Sequence, residues 1–248
     1  MTQAKPTIVF VPGAWHGPHV FDLVANILQS QGYKTVAVSL PSVGASPPLN
    51  DFQPDVAAIR DAIQSSVNEG SEVVVFAHSY GGVPSSEAIK GLTKSDLLSE
   101  GKPGGVIHYV LCAAFLIPEG VPSINPETGP LPQYELLDDA TVVMAIDPVT
   151  TFYGDLPREI AEQYAAGLKR QSYKVFASKL TYAAWRHVPT TYLYTENDTA
   201  LPIMYQKMMV EGSGAEVKTE TFNAGHSVFL ALPERVAESV RRAAGESI

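Results

Sequence analysis

One cysteine, Cys112, is all the chain has, so no internal disulfide can form and nothing in the cysteine count calls for an oxidising compartment. A reducing cytosol suits it, and a cytoplasmic location is the expectation. No apolar run approaches the ~18 residues of a membrane span. The segment before the first apolar stretch, Thr7 to Val11, is too short for a secretory signal. Basic residues are also scarce: 17 Lys and Arg against 26 Asp and Glu leave a net charge of −9, so a nucleic acid would meet net repulsion. No Lys/Arg cluster supplies a local exception, and neither nucleic acid nor membrane is an expected partner.

What is present points to a folded domain. At 248 residues, 45% apolar and 17% charged, the chain can bury a large core. Its length fits one large α/β domain carrying an insertion as well as it fits two small domains. Short β-branched runs recur at Thr7 to Val11, Lys34 to Ser39, Glu72 to Ala77, Val106 to Cys112, Thr190 to Thr195 and Glu216 to Phe222. Several are continuously apolar, as Val73 to Phe76 is, which is the pattern of strands covered by helices on both faces. Helical spacing marks Phe21 to Gln31, Pro54 to Asn68, Val83 to Leu92, Ile203 to Glu211 and Pro233 to Ala244. Strand alternating with helix predicts a mostly parallel sheet of about six strands with helices on both faces.

That rhythm breaks after Phe115 and resumes near His187, and the intervening stretch contains no good strand. So long a bare loop is improbable in a folded domain, so residues 116–186 are read as a partly helical cap, with 1–115 and 187–248 forming the core.

The chemistry concentrates in Ala77-His78-Ser79-Tyr80-Gly81, which follows a buried strand and precedes a helix. Small residues two before and two after a serine allow the sharp nucleophile elbow, which lifts the hydroxyl clear of the sheet. Ser79 could instead cap the helix, but the downstream order argues for catalysis. Asp198 lies just past the fifth strand and His226 just past the sixth, preceded by Gly225, so nucleophile, acid and base fall at three strand ends in the order this architecture requires. Two backbone amides should receive the developing oxyanion: Tyr80, directly after the nucleophile, and Ala14, in the small-residue loop Val11 to Gly17 after the first strand.

These motifs, with the cap element Asp147-Pro148 to Phe152-Tyr153, resemble the α/β-hydrolase superfamily over nearly the whole chain. More narrowly, the chain is similar to the small esterases that include plant methylesterases and hydroxynitrile lyases. The resemblance implies that the first and third strands are neighbours, which sets the Ala14 loop beside Ser79 at a topological switch point. Two positions depart from the family. Pro12 stands where its oxyanion loop usually has histidine, and Ser227 stands where cyanohydrin-cleaving members carry a lysine.

The expected activity is hydrolysis of carboxylic esters of small to medium, largely apolar molecules through an acyl-enzyme, with no cofactor and no metal. His16 and His19 lack the further ligands of a zinc site. Trp15, His16, Phe115, Phe152, Tyr153 and Trp185 are the expected substrate-binding residues, Glu119 is the alternative acid, and His78, His108 and Cys112 read as structural. A lactonase or a C–C bond-cleaving or cyclising enzyme of secondary metabolism on the same fold is an alternative, as is a receptor that retains the triad. Oligomeric state is open, a homodimer included.

Overall fold

The continuous apolar runs do become strands in the computed structural model, which describes residues 4–248. In chain order these are β1 (Thr7–Val11), β2 (Thr35–Ala37), β3 (Glu72–His78), β4 (Gly105–Cys112), three short strands β5 (Tyr134–Leu136), β6 (Thr141–Met144) and β7 (Gln171–Ser172), then β8 (Thr190–Thr195) and β9 (Val217–Phe222). Six of them form one sheet in the order β2-β1-β3-β4-β8-β9, every neighbouring pair parallel. The first and third strands are indeed adjacent, and Val11 pairs with Ala77, so the loop after β1 emerges beside the turn after β3.

Parallel strands need crossovers, and the amphipathic segments supply them as α1 (Asp22–Ser30), α2 (Gln53–Asn68), α3 (Gly82–Ile89), α4 (Lys94–Ser99), α5 (Pro148–Tyr153), α6 (Arg158–Ala166), α7 (Ile203–Gly212), α8 (Val228–Ala231) and α9 (Pro233–Ala243). The α2 stripe Val56, Ile59, Ile63 and Val67 is buried as its spacing predicts. Helices α1, α8 and α9 pack together, as do α2 and α3, and both α2 and α9 rest on β3 and β4. Those two strands are therefore covered on both faces, and Val73 to His78 are fully buried.

Two readings of the sequence need correction. Helix α3 ends at Ile89 rather than Leu92, because Lys90 leaves the helical region and Gly91 turns into the left-handed one at φ 72°. The stretch between β4 and β8 does contain strands: β5, β6 and β7 pair antiparallel into a second sheet. Each is two to four residues long, and β7 meets β6 from far along the chain, so local periodicity carries no trace of it. Among the described residues, no helix is long and apolar enough to cross a membrane.

Candidate active site

The turn after β3 is strained, as an elbow must be. Ser79 sits at φ 52°, a left-handed conformation that an L residue occupies at a cost of about 1–3 kcal/mol. Its neighbours show why only small residues fit. A Cβ at Gly81 would fall 2.4 Å from the Pro12 carbonyl oxygen, and one at Gly82 would fall 2.5 Å from that of Phe115. The elbow is thus wedged between the loops that follow β1 and β4, and the Phe115 amide donates to the Ser79 carbonyl at 3.1 Å. Ser79 itself is half-buried.

Past β8, the loop closes on the Asp198 carboxylate. Oδ1 accepts from the Ala200 and Leu201 amides at 2.9 and 2.8 Å, while Oδ2 accepts from Thr195 Oγ1 at 3.0 Å and from Gln206 Nε2 at 3.3 Å. Oδ2 also lies 2.8 Å from His226 Nδ1, with both side chains buried. An ionised carboxylate can only accept, so Nδ1 holds the proton and a neutral His226 carries its lone pair on Nε2. The ring rests against His78, centroids 4.5 Å apart, and His78 Nε2 donates to the His226 carbonyl at 3.1 Å. Burial keeps His78 neutral by driving its pKa well below the ordinary histidine value. The imidazole of residue 226 therefore abuts the residue that precedes Ser79. Among the described residues, no hydrogen bond engages the Ser79 hydroxyl or His226 Nε2.

The loop after β1 completes this end of the sheet. Gly13 lies over the serine: a Cβ there would stand 2.9 Å from Ser79 Cβ and 3.4 Å from its Oγ. Among the described residues, neither the Ala14 nor the Tyr80 amide donates to a backbone carbonyl. Tyr80 is in the first turn of a short helical segment, where amides lack an intrahelical partner. Its side chain is anchored below, the hydroxyl donating at 2.8 Å to Oδ2 of the buried Asp55, whose Oδ1 accepts the Ser42 amide at 2.8 Å. Burial raises the Asp55 pKa, partly opposed by those hydrogen bonds.

A cavity of about 640 Å³ opens beside these loops. Ser79, Asp198 and His226 do not line it themselves, but its walls touch their loops: the Phe115 amide bonds the Ser79 carbonyl, the Phe152 ring lies 5.5 Å from that of His226, and the Leu201 amide bonds Asp198. Leu131, Met144 and Met209 supply apolar surface, and no charged side chain lines it. A cavity of about 800 Å³ lies against Pro6, Glu72, Val106 and Pro189 instead, at the amino ends of the strands, where open α/β sheets do not bind their ligands.

Of the six expected pocket residues, Phe115 and Phe152 line the cavity. Trp15 is buried behind Phe152, its indole N–H donating to the Val142 carbonyl at 2.9 Å. His16 and Tyr153 are buried together, 2.8 Å apart between Nε2 and the hydroxyl. Trp185 faces a separate recess of about 160 Å³, which shares Ile117, Met208 and Met209 with the cavity. Glu119 is engaged elsewhere: Oε1 accepts the Ala183 amide at 3.0 Å and Oε2 lies 3.8 Å from Arg186. Ser227 is fully buried, and its hydroxyl has no partner among the described residues. His19 stacks on Tyr164, His108 lies 2.8 Å from Thr191 Oγ1, and burial pushes the Cys112 thiol up. Among the described residues, no group of three or more His, Cys, Asp and Glu could hold a metal ion.

Sequence reasoning passed over Asp55, Asp155 and Gln171. Asp55 in the first turn of α2 carries the signature of a dipole-compensating acid, so its bond to Tyr80 left no separate mark. Asp155 accepts the Gly225 amide at 2.7 Å and Gln171 accepts that of Trp15 at 3.2 Å, both across long sequence separations without any local signal.

The model of the alpha/beta hydrolase family matches residues 8–239. An alpha/beta hydrolase of Aspergillus novofumigatus, nvfD, is 33% identical over 248 residues, which cover 98% of each chain. A methylesterase from Arabidopsis superposes with a TM-score of 0.75 at 20% identity, over 97% of this chain and 99% of that one. A pyrethroid hydrolase from Sphingobium faniae JZ-2 superposes at 0.74 with 21% identity, over 97% of both.

Proposed function

The chain belongs to the alpha/beta hydrolase family, and from that premise we propose that it acts as a small esterase, hydrolysing carboxylic esters through an acyl-enzyme formed on Ser79. The observation that carries this reading is the buried 2.8 Å bond between His226 Nδ1 and Asp198, made by a ring packed against His78, the residue before the strained serine. Asp198 orients His226 and stabilises the imidazolium. His226 Nε2 takes the Ser79 proton as Oγ attacks the ester carbonyl, and the Ala14 and Tyr80 amides receive the oxyanion. Collapse of that intermediate breaks the C–O bond, and the imidazolium protonates the departing alcohol. Water, deprotonated by His226, then releases the acid and restores Ser79.

Residues 116–186 serve as the cap, and the substrate occupies the cavity between it and the sheet. A volume of about 640 Å³ without charged lining supports a neutral, largely apolar ester of small to medium size. A fluorophosphonate should label Ser79, with Ser79→Ala abolishing both the label and, by about 10⁴-fold or more, turnover of a p-nitrophenyl ester. An adduct on another serine, or activity that persists without labelling, refutes the proposal.

A further inference from the structure

The three loops of the candidate site share one support. We propose that α5, with the aspartate two residues beyond it, forms a bracket that holds all three in register, and that Tyr153, His16 and Asp155 are positioning residues. This rests on the site reading given above.

The first arm is a directional hydrogen-bond chain. His16 Nδ1 lies 2.6 Å from the Ala14 carbonyl, which can only accept, so Nδ1 carries the proton and Nε2 the lone pair. The fully buried Tyr153 hydroxyl, 2.8 Å from Nε2, must then donate. Burial lowers the His16 pKa to about 4, which keeps the ring neutral and the chain in that one sense near neutral pH. The chain fixes the peptide between Ala14 and Trp15, and Trp15 sits at φ 66°, an outlier for so bulky a residue. Three more bonds tie down the same residue: its amide to Gln171 Oε1 at 3.2 Å, its carbonyl to the Lys169 amide at 3.0 Å and its indole to the Val142 carbonyl at 2.9 Å. Every one of these partners lies within residues 116–186. The strained oxyanion loop is thus held from the cap side.

The second arm reaches the base. Asp155 Oδ2 accepts the amide of Gly225, the residue before His226, at 2.7 Å. A Cβ on Gly225 would stand 3.1 Å from Asp155 Oδ1, so the glycine lets the carboxylate lie flat against the chain. The third arm reaches the acid: Thr199, next to Asp198, donates to the Thr151 carbonyl at 3.2 Å. Thr151 and Phe152 also line the cavity, so a ligand filling it touches the helix that carries the three arms.

If these contacts only fastened the cap, their loss would lower stability and weaken substrate binding. Positioning predicts instead a loss in kcat alone. On a p-nitrophenyl ester, Tyr153→Phe and Asp155→Ala should each lower kcat about tenfold or more, with KM within about twofold. Fluorophosphonate labelling of Ser79 should slow in parallel. Asp155→Asn, whose amide oxygen can still accept the Gly225 N–H, should recover most of the wild-type kcat. Unchanged kcat in both variants, a rise in KM matching the fall in kcat, or an Asp155→Asn enzyme no better than Asp155→Ala would overturn the bracket. If Tyr153→Phe does not fold, the two Asp155 variants decide alone. Wild-type enzyme that fluorophosphonate does not label at Ser79 would refute the site reading itself, whereas labelled wild type with indifferent variants refutes only the bracket.

Discussion

One methyl group at Gly13 should disable the candidate nucleophile while leaving the chain folded. An alanine Cβ at that position would stand 2.9 Å from Ser79 Cβ, 3.2 Å from His78 Nδ1 and 3.4 Å from Ser79 Oγ. Carbon atoms in good contact sit roughly 3.5–4.0 Å apart, so the serine must retreat by about 0.6–1 Å. Rotating the hydroxyl away offers no relief, because the closest clash is with Cβ, whose position is set by the strained backbone at φ 52°. A displacement near 1 Å costs about 10²-fold in rate, or about 2.7 kcal/mol of transition-state stabilisation. The stability cost is smaller. Overpacking typically takes about 1–3 kcal/mol, and replacing glycine by alanine returns about 0.4–1 kcal/mol through the unfolded chain. The checks are kcat on a p-nitrophenyl ester, the rate of fluorophosphonate labelling and the melting temperature. Gly212→Ala is the control, since nothing lies within 4 Å of a Cβ there. A Gly13→Ala enzyme that retains its kcat within about threefold refutes the placement of chemistry at Ser79, because at least ~10²-fold is at stake.

Asp198→Asn should reduce kcat by about 10³-fold or more, since an amide supports the wrong imidazole tautomer, while Glu119→Gln should change it by less than about twofold. The reverse result, in steady-state kinetics, would move the acid to Glu119. Acid should also destabilise the fold in a defined window. His16 takes its proton near the ordinary 6.5 in the unfolded chain but only near pH 4 when folded, because burial disfavours the cation. The unfolded state therefore binds the proton first, so stability is full above pH 6.5 and falls as pH drops towards 4. The shift corresponds to about 3 kcal/mol, and the buried His78 acts in the same direction. Urea unfolding free energies that stay flat across that window would contradict the burial of these rings.

How much of this was legible in the sequence depends on how far apart the interacting residues lie. The sheet was legible because strands buried on both faces must be continuously apolar, and Val73 to Phe76 can hardly be anything else. The elbow was legible because its steric demands fall on adjacent residues, Ala77, Gly81 and Gly82, which leave a local pattern. The pairing of Asp198 with His226 was legible through chain order. The bracket was not. Tyr153 and Phe152 read as pocket aromatics, yet one is fully buried as a donor to His16 while the other forms wall, a division set by which way a short helix faces. His16 read as a substrate-binding residue, and its two bonds run to a carbonyl two residues back and to a hydroxyl 137 residues away. Asp155 is an exposed acid with no periodicity, cap or motif to mark it, and what gives it a role is one amide 70 residues downstream. Pattern in a sequence records constraints between neighbours. Groups that perform the proposed chemistry are few and sit at strand ends, where the fold confines them to recognisable positions. Groups that hold them in place can come from anywhere the chain passes within hydrogen-bonding distance, and so only the folded structure identifies them.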